Sequence, residues 1–290
     1  QLLSKPATLL RKMVTLSPTY AMNQVIKDSV AMNFTSGANN VPVLSALKEV
    51  GKMFANKSTG EDVLRRSGVM SSKILTGSKD DFATILRQIS DGGGFSPIAF
   101  MENVGMKADA ASRVNLYNSF LDQGLNEMEA RLAALEAVNF TKRGVSPTMF
   151  HLNMMIPFFN AGIQGINVVA KAFKGTMPFN DRLKVREKLW TRGTMMAAFT
   201  MIYAAALAEQ DWYKEIPEED KLRYWFVKLP NVETPIRIPI PFEVGLIFKA
   251  VPEAVIRAAS NDKDAKPVLS ALAKLGGSML PMAPENLLPA

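Results

Sequence analysis

The chain has 290 residues, 48% of them hydrophobic and 21% charged, with a formal charge of +7, no cysteine and one histidine. That length holds one or two domains and a sizeable core, while the missing cysteines exclude disulfides, a thiolate nucleophile and cysteine-based zinc. The positive balance favours anionic partners, either nucleic acid or a membrane surface. The chain begins at Gln1 without the basic start, apolar stretch and small-residue cleavage pattern of a signal peptide. It therefore reads as a processed product or as part of a longer polypeptide.

In chain order, Leu2 to Val14 is apolar with scattered cations. Ser17-Pro18 opens a helix, with Pro in its first turn. On that helix Met22, Val25, Ile26 and Val30 form an apolar stripe. Asn33 to Asn40 is a polar break. Val43 to Phe54 repeats Leu44, Leu47, Val50 and Phe54 at helical spacing. Asn56 to Gly77 reads as a loop with one short helix. Asp80 to Ile89 reads as another helix, closed by Gly92-Gly93-Gly94.

Ala108 to Gln123 is helical and stops at Gly124, as a C-terminal glycine would. Asn126 and Glu129 form a capping-box start for the next helix. There Leu125, Met128, Leu132 and Leu135 are expected to make the apolar seam, opposite Glu127, Arg131 and Glu136. Met149 to Val169 is strongly apolar and should be interrupted at Pro157.

Asp181 is placed to cap a long helix through about Leu207. Its first half carries Arg182, Lys184, Arg186, Lys188 and Arg192. Its second half, Gly193 to Ala208, is uncharged. That half is short for a membrane span of roughly 20 apolar residues, so burial in a multi-helix or oligomeric packing is favoured over insertion. Tyr224 to Leu229 and Ile236 to Ile238 are strand-like, with a turn between them. Pro239 and Pro241 suit an extended edge. Glu243 to Ala259 resumes as helix.

These elements predict an all-α, mainly helical module with a small β-hairpin near 223–240 and an extended C-terminal arm. The expected divisions are an N-terminal helical region with a loop-rich insert (1–100), a main helical module carrying the hairpin (101–275) and a Pro-rich tail (276–290).

Residues for chemistry are sparse. His151, between Phe150 and Leu152, reads as packed, and no nucleophile elbow accompanies it. Gly92-Gly93-Gly94 lacks the Lys and Ser/Thr of a phosphate loop. Glu129 with Glu136, and Asp80 with Asp81, read as helix surface or caps. No catalytic site, cofactor or metal is expected in this segment. Trp190, Trp212 and Trp225 could stack bases, but packing is the commoner use, and the many Met residues suit adaptable interfaces. The cluster Arg182, Lys184, Arg186, Lys188 and Arg192 is the candidate anion contact. Like charges repel there and sit at the helix end that disfavours cations, so a compensating anion is inferred. DNA or RNA phosphate comes first, read without base specificity, and anionic lipid second; a solvated face is the plain alternative.

Two stretches mix large apolar groups with residues that fix or free the backbone. One is Pro157 to Gly165, holding Phe158, Phe159, Asn160, Gln164 and Gly165. The other is Ile236 to Gly245, holding Pro239, Pro241, Phe242 and Glu243. Both point to a shaped packing surface, with Phe158, Phe159, Asn160 and Gln164 buried and Pro239, Pro241 and Phe242 packed in an extended segment.

Together with Ser17 to Asp28, Asn139 to Gly144, Tyr213-Lys214-Glu215-Ile216-Pro217 and Val251-Pro252-Glu253, these stretches resemble, over about residues 10–260, the large polyvalent protein-associated domains of phages and mobile elements. The resemblance implies a component of a giant phage protein, such as an internal virion protein ejected into the host. Its implied work is a homo-oligomeric ring or tube, with other ejection proteins, that helps carry phage DNA through the cell envelope. Its implied place is the capsid interior, then the host periplasm or inner membrane. The family supplies no catalytic residues. The alternative is a non-catalytic module of a large phage enzyme, a virion RNA polymerase or a peptidoglycan-degrading protein, with its active site elsewhere. A peripheral membrane-binding module is a third reading.

Overall fold

Proline sets where several helices begin. A Pro in the first turn loses no hydrogen bond, because that N–H has no helical partner. Helix α1 (Pro18–Ser36), α2 (Pro42–Phe54) and α4 (Pro97–Asp122) all start this way, with the short α3 (Thr59–Arg66) between. The computed structural model describes residues 18–66, 97–137, 142, 151, 159–260 and 262–278. The expected helix at Asp80 to Ile89 and its glycine run lie outside those residues, as do Leu2 to Val14, Pro157, Phe158 and the last part of the tail.

After α4 come α5 (Glu127–Ala137), α6 (Phe159–Lys174), the single turn α7 (Asn180–Leu183) and the long α8 (Val185–Leu207). Two short helices follow, α9 (Asp211–Lys214) and α10 (Glu218–Arg223), then strands β1 (Tyr224–Val227) and β2 (Ile236–Pro239). The strands pair antiparallel with Tyr224 opposite Pro239 and Val227 opposite Ile236, so the expected hairpin is present. The chain closes with α11 (Phe242–Gly245), a π-turn (Leu246–Ala250), α12 (Val251–Ser260) and α13 (Asp262–Ser278). The protein is mainly helical, as its periodicities predict.

α1 lies along α4, which also receives α2, α3 and α5; α8 bridges α1 to α12, and α13 packs on α10 and α12. One apolar cluster runs from Met32, Met53 and Leu64 through Val114 and Phe120 to Leu189 and Phe248. A smaller one joins Leu222 and Ile240 to Ala254, Val268 and Leu275.

Four expectations are corrected. Helix α4 begins eleven residues before Ala108, at Pro97. The face of α5 that meets the core is Ala130, Ala133, Ala134 and Ala137, while Met128 and Leu132 are exposed. Small side chains let α5 approach closely, so its larger residues turn outward. Asp181 does not cap the long helix: Lys184 is left-handed, with φ of 52°, and splits α7 from α8. Helix α13 also extends to Ser278, inside the segment expected to be an extended arm.

Candidate interaction surface

The two motif stretches meet. Gly165 on α6 faces Glu243 on α11 so closely that a Cβ there would lie 2.5 Å from Glu243 Oε1. Gln164, the neighbouring residue, is buried, and its Nε2 donates to the Lys142 carbonyl at 2.7 Å. Asn160 is half-buried. Pro239 and Pro241 are buried, and Gly245 fits against Ile240 and Pro241. Burial pushes the Glu243 carboxyl above the usual carboxylate range. Phe159 and Phe242 open α6 and α11 respectively.

The five cations divide into two groups. Arg182 Nη1 pairs with Glu129 Oε1 at 2.6 Å, and its Nη2 donates to the Gly124 carbonyl at 3.1 Å. Lys188 Nζ donates to the Gly37 carbonyl at 2.7 Å and to Gln123 Oε1 at 2.9 Å. Arg192 donates to the carbonyls of Asn33 and Ala38, at 2.5 and 2.6 Å. These three therefore clasp the C-terminal ends of α1 and α4, where orphan carbonyls and the negative end of the helix dipole attract cations. Burial lowers the proton affinity of Lys188 and Arg192, and for Lys188 the neighbouring Arg192 and Lys184 add to the effect. Gly37 makes the clasp possible. It ends α1 at φ of 75°, and a Cβ there would lie 2.7 Å from the Leu183 carbonyl. Lys184 and Arg186 instead point outward. Lys184 has a distant contact with Glu187 at 3.9 Å. They line a cleft of about 400 Å³ with Asn180, Asp181, Glu187 and Trp190, in which two carboxylates balance the two cations.

The capping box is formed reciprocally. Asn126 N–H donates to Glu129 Oε2 and Glu129 N–H to Asn126 Oδ1, each at 3.0 Å. That backbone bond, then Arg182, holds the Glu129 carboxyl below its usual range.

A buried polar network lies beneath α9, α10 and the hairpin, which sequence reasoning missed. Lys249, in the π-turn, is fully buried and pairs with Glu253 Oε2 at 2.7 Å. It also donates to the Lys221 carbonyl. Tyr213 O–H donates to Glu253 Oε1 at 2.6 Å. Lys221 Nζ donates to Glu218 Oε1 at 2.9 Å, and Arg257 pairs with the same carboxylate. Burial lowers the Lys249 proton affinity against the pull of Glu253 and raises the Tyr213 phenol, which the Glu253 charge raises further. The spacing of Lys249 and Glu253, i and i+4 inside an otherwise apolar run, was the available signal.

Helix α8 is two-faced. Leu189, Gly193, Thr200 and Ala204 face inward. Gly193 lets the Phe248 ring approach, since a Cβ would meet it at 2.4 Å, and Phe173 stacks on that ring at 6.0 Å. Outward stand Met195, Phe199 and Ile202, at 68%, 60% and 71% exposure. Solvent-facing apolar groups this bare and this close in space mark interaction surfaces on a folded chain. Among the described residues no helix is long and apolar enough to cross a membrane, and no group of His, Asp or Glu could hold a metal. His151, expected to be packed, is exposed. Trp190 is about half exposed, Trp212 lies under Lys228, and Trp225 packs against the smaller core.

Residues 210–289 match the family model of large polyvalent protein associated domain 38. The match takes in Tyr213 to Pro217, the hairpin, Ile236 to Gly245 and the buried Lys249–Glu253 pair. The earlier motif at Pro157 to Gly165 lies outside it. No curated protein and no solved structure matches the chain.

Proposed function

We propose that this chain, whose residues 210–289 carry a large polyvalent protein associated domain of the kind found in phage giant proteins, is a structural part of the particle. In this reading it assembles with copies of itself and with other ejection proteins. The assembly is a ring or tube that helps move phage DNA across the host envelope. The protein is carried in the capsid interior and acts in the periplasm or at the inner membrane.

The observation that carries the reading is the bare apolar face of α8 on a chain bearing this domain. An interface residue gains by leaving water, and a face of Met and Phe adapts to a partner surface. DNA contact in this proposal is non-specific and falls to outward cations, because Arg182, Lys188 and Arg192 already hold carbonyl and carboxylate acceptors.

Phage particles assembled without this chain test the proposal. They should package DNA and adsorb, yet fail to transfer the genome into the cell. Normal genome transfer would overturn it. Transfer that succeeds while transcription or wall degradation fails would move the chain to the enzyme-module alternative.

A further inference from the structure

We infer that the outward face of α2 is a contact for an anionic lipid surface, on which the helix lies without spanning it. The inference rests on the proposed place at the inner membrane and gives that place a surface on this chain.

The first observation is an exposed apolar row. Ala46, Glu49 and Met53 are the residues that α2 turns inward. On the opposite side stand Leu44, Leu47 and Phe54, at 67%, 39% and 43% exposure and spaced i, i+3 and i+10, and Val41 precedes them at 63%. Gly51 falls in the same row, where an added Cβ would meet nothing within 4 Å, so the row stands clear there.

The second observation is the sign of the charge along that row. Lys48 and Lys52, one turn apart, flank it, and exposed Lys57 follows the end of the helix. Lys107 reaches over from α4, its Nζ 4.7 Å from the centre of the Phe54 ring and donating to the Met53 carbonyl at 2.6 Å. The one carboxylate of α2, Glu49, is buried on the far side, where it accepts from Ser58 Oγ at 2.5 Å and pairs with Lys52 at 3.1 Å. On α3, exposed Asp62 and exposed Arg66 offset each other. The described side chains along the row thus set four lysines against one buried carboxylate. The exposed row of α8 has no such border, because Asp181 and Glu187 balance Lys184 and Arg186 at its start.

Charge and apolarity together select the occupant. A helix lying in an anionic lipid interface places its leucine and phenylalanine side chains at the boundary between headgroups and chains, while its lysines reach back to the headgroups. A second copy related by a two-fold axis would set this cationic border against itself. A nucleic acid would satisfy the lysines and give the leucines no apolar partner.

The test uses the 290-residue chain and sedimentation with vesicles of phosphatidylcholine, alone or mixed with phosphatidylglycerol. The parent should sediment with the mixed vesicles and not with phosphatidylcholine alone, and rising salt should weaken the binding. Leu44→Ser with Leu47→Ser, and separately Lys48→Gln with Lys57→Gln, should each bind the mixed vesicles about tenfold more weakly or less. All four positions are exposed, so far-UV circular dichroism should match the parent. As a second measurement, this cysteine-free chain accepts a polarity-sensitive dye at Gly51→Cys or at Ile202→Cys. On adding mixed vesicles the dye at 51 should shift to the blue and the dye at 202 should not.

If the parent binds neither kind of vesicle, the inference falls, whereas the ejection reading is judged by genome transfer alone. Equal binding by the parent and both variants, or a blue shift at 202 without one at 51, would take lipid away from α2 and overturn the inference. So would self-association or DNA binding that depends on Leu44 and Lys48 in a chain that leaves vesicles alone, since either gives the face to another occupant.

Discussion

Arg192 shows how much one side chain carries in this molecule. It reaches from α8 to the carbonyls of Asn33 and Ala38 and so ties the last turn of α1 to the middle of the fold. Arg192→Met should leave both carbonyls without this donor and lower stability by about 1–3 kcal/mol, read as a shift in the urea midpoint. An unchanged midpoint would mean that water replaces the guanidinium at no cost. Gly193 sets two effects against each other. Alanine is the better helix former by about 1 kcal/mol, but its methyl would strike the buried Phe248 ring. Overpacking of a tight core costs typically 1–3 kcal/mol, so Gly193→Ala should destabilise, and a rise in melting temperature would contradict the close contact. The tyrosines give a pH signature. Burial pushes the Tyr203 phenol up from 10.0 to about 12, and Tyr213 is raised as well. The folded state thus keeps protons that the unfolded chain releases, so this contribution to stability is full below pH 10 and fades as pH rises toward 12. Alkaline titration at 295 nm should show Tyr203 and Tyr213 ionising late, together with unfolding.

Elements whose signals are local were legible. The start of α1 at Pro18, the stop of α4 before Gly124, the Asn126–Glu129 capping box and the hairpin all rest on a few adjacent residues, and all are present. Elements decided by distant packing were not. Nothing local says that α5 buries alanines and exposes Met128 and Leu132; that follows from how close α4 lies. The left-handed Lys184 is likewise invisible in sequence, because a residue with a Cβ rarely adopts φ above zero without outside contacts to hold it. The sequence led to an expected anion beside Lys188 and Arg192; in the fold both cations donate to neutral acceptors, the helix-end carbonyls and the Gln123 side-chain oxygen, which only the tertiary arrangement brings within reach. The Lys249–Glu253 pair joins the π-turn to α12 and is the clearest case for a double substitution. Glu253→Gln alone strands a buried ammonium and should cost about 3–5 kcal/mol. Lys249→Met added to it should recover at least half of that loss, since the unpaired charge is gone while the Gln oxygen still accepts from Tyr213. No recovery would mean that the π-turn depends on the lysine itself.

At the scale of the whole molecule, the fold buries Leu189, Gly193, Thr200 and Ala204 on one side of α8 and leaves Met195, Phe199 and Ile202 exposed on the other. The two sequence motifs, distant along the chain, close against one another at Gly165 and Glu243 and so help to position α6 beside the segment 210–289 that the family model matches. What the sequence could not reveal was which side of α8 stays uncovered, because an uncharged, Ala-rich helix reads alike whether buried or paired. The proposed assembly requires that face to be an interface. The most direct measurement is the mass of the 290-residue chain in solution by light scattering, taken over a hundredfold range of concentration. A mass that rises to at least twice 31.8 kDa, and that falls back when Phe199 and Ile202 are both changed to Ser, is the predicted result. A mass fixed at one chain over the whole range would contradict it.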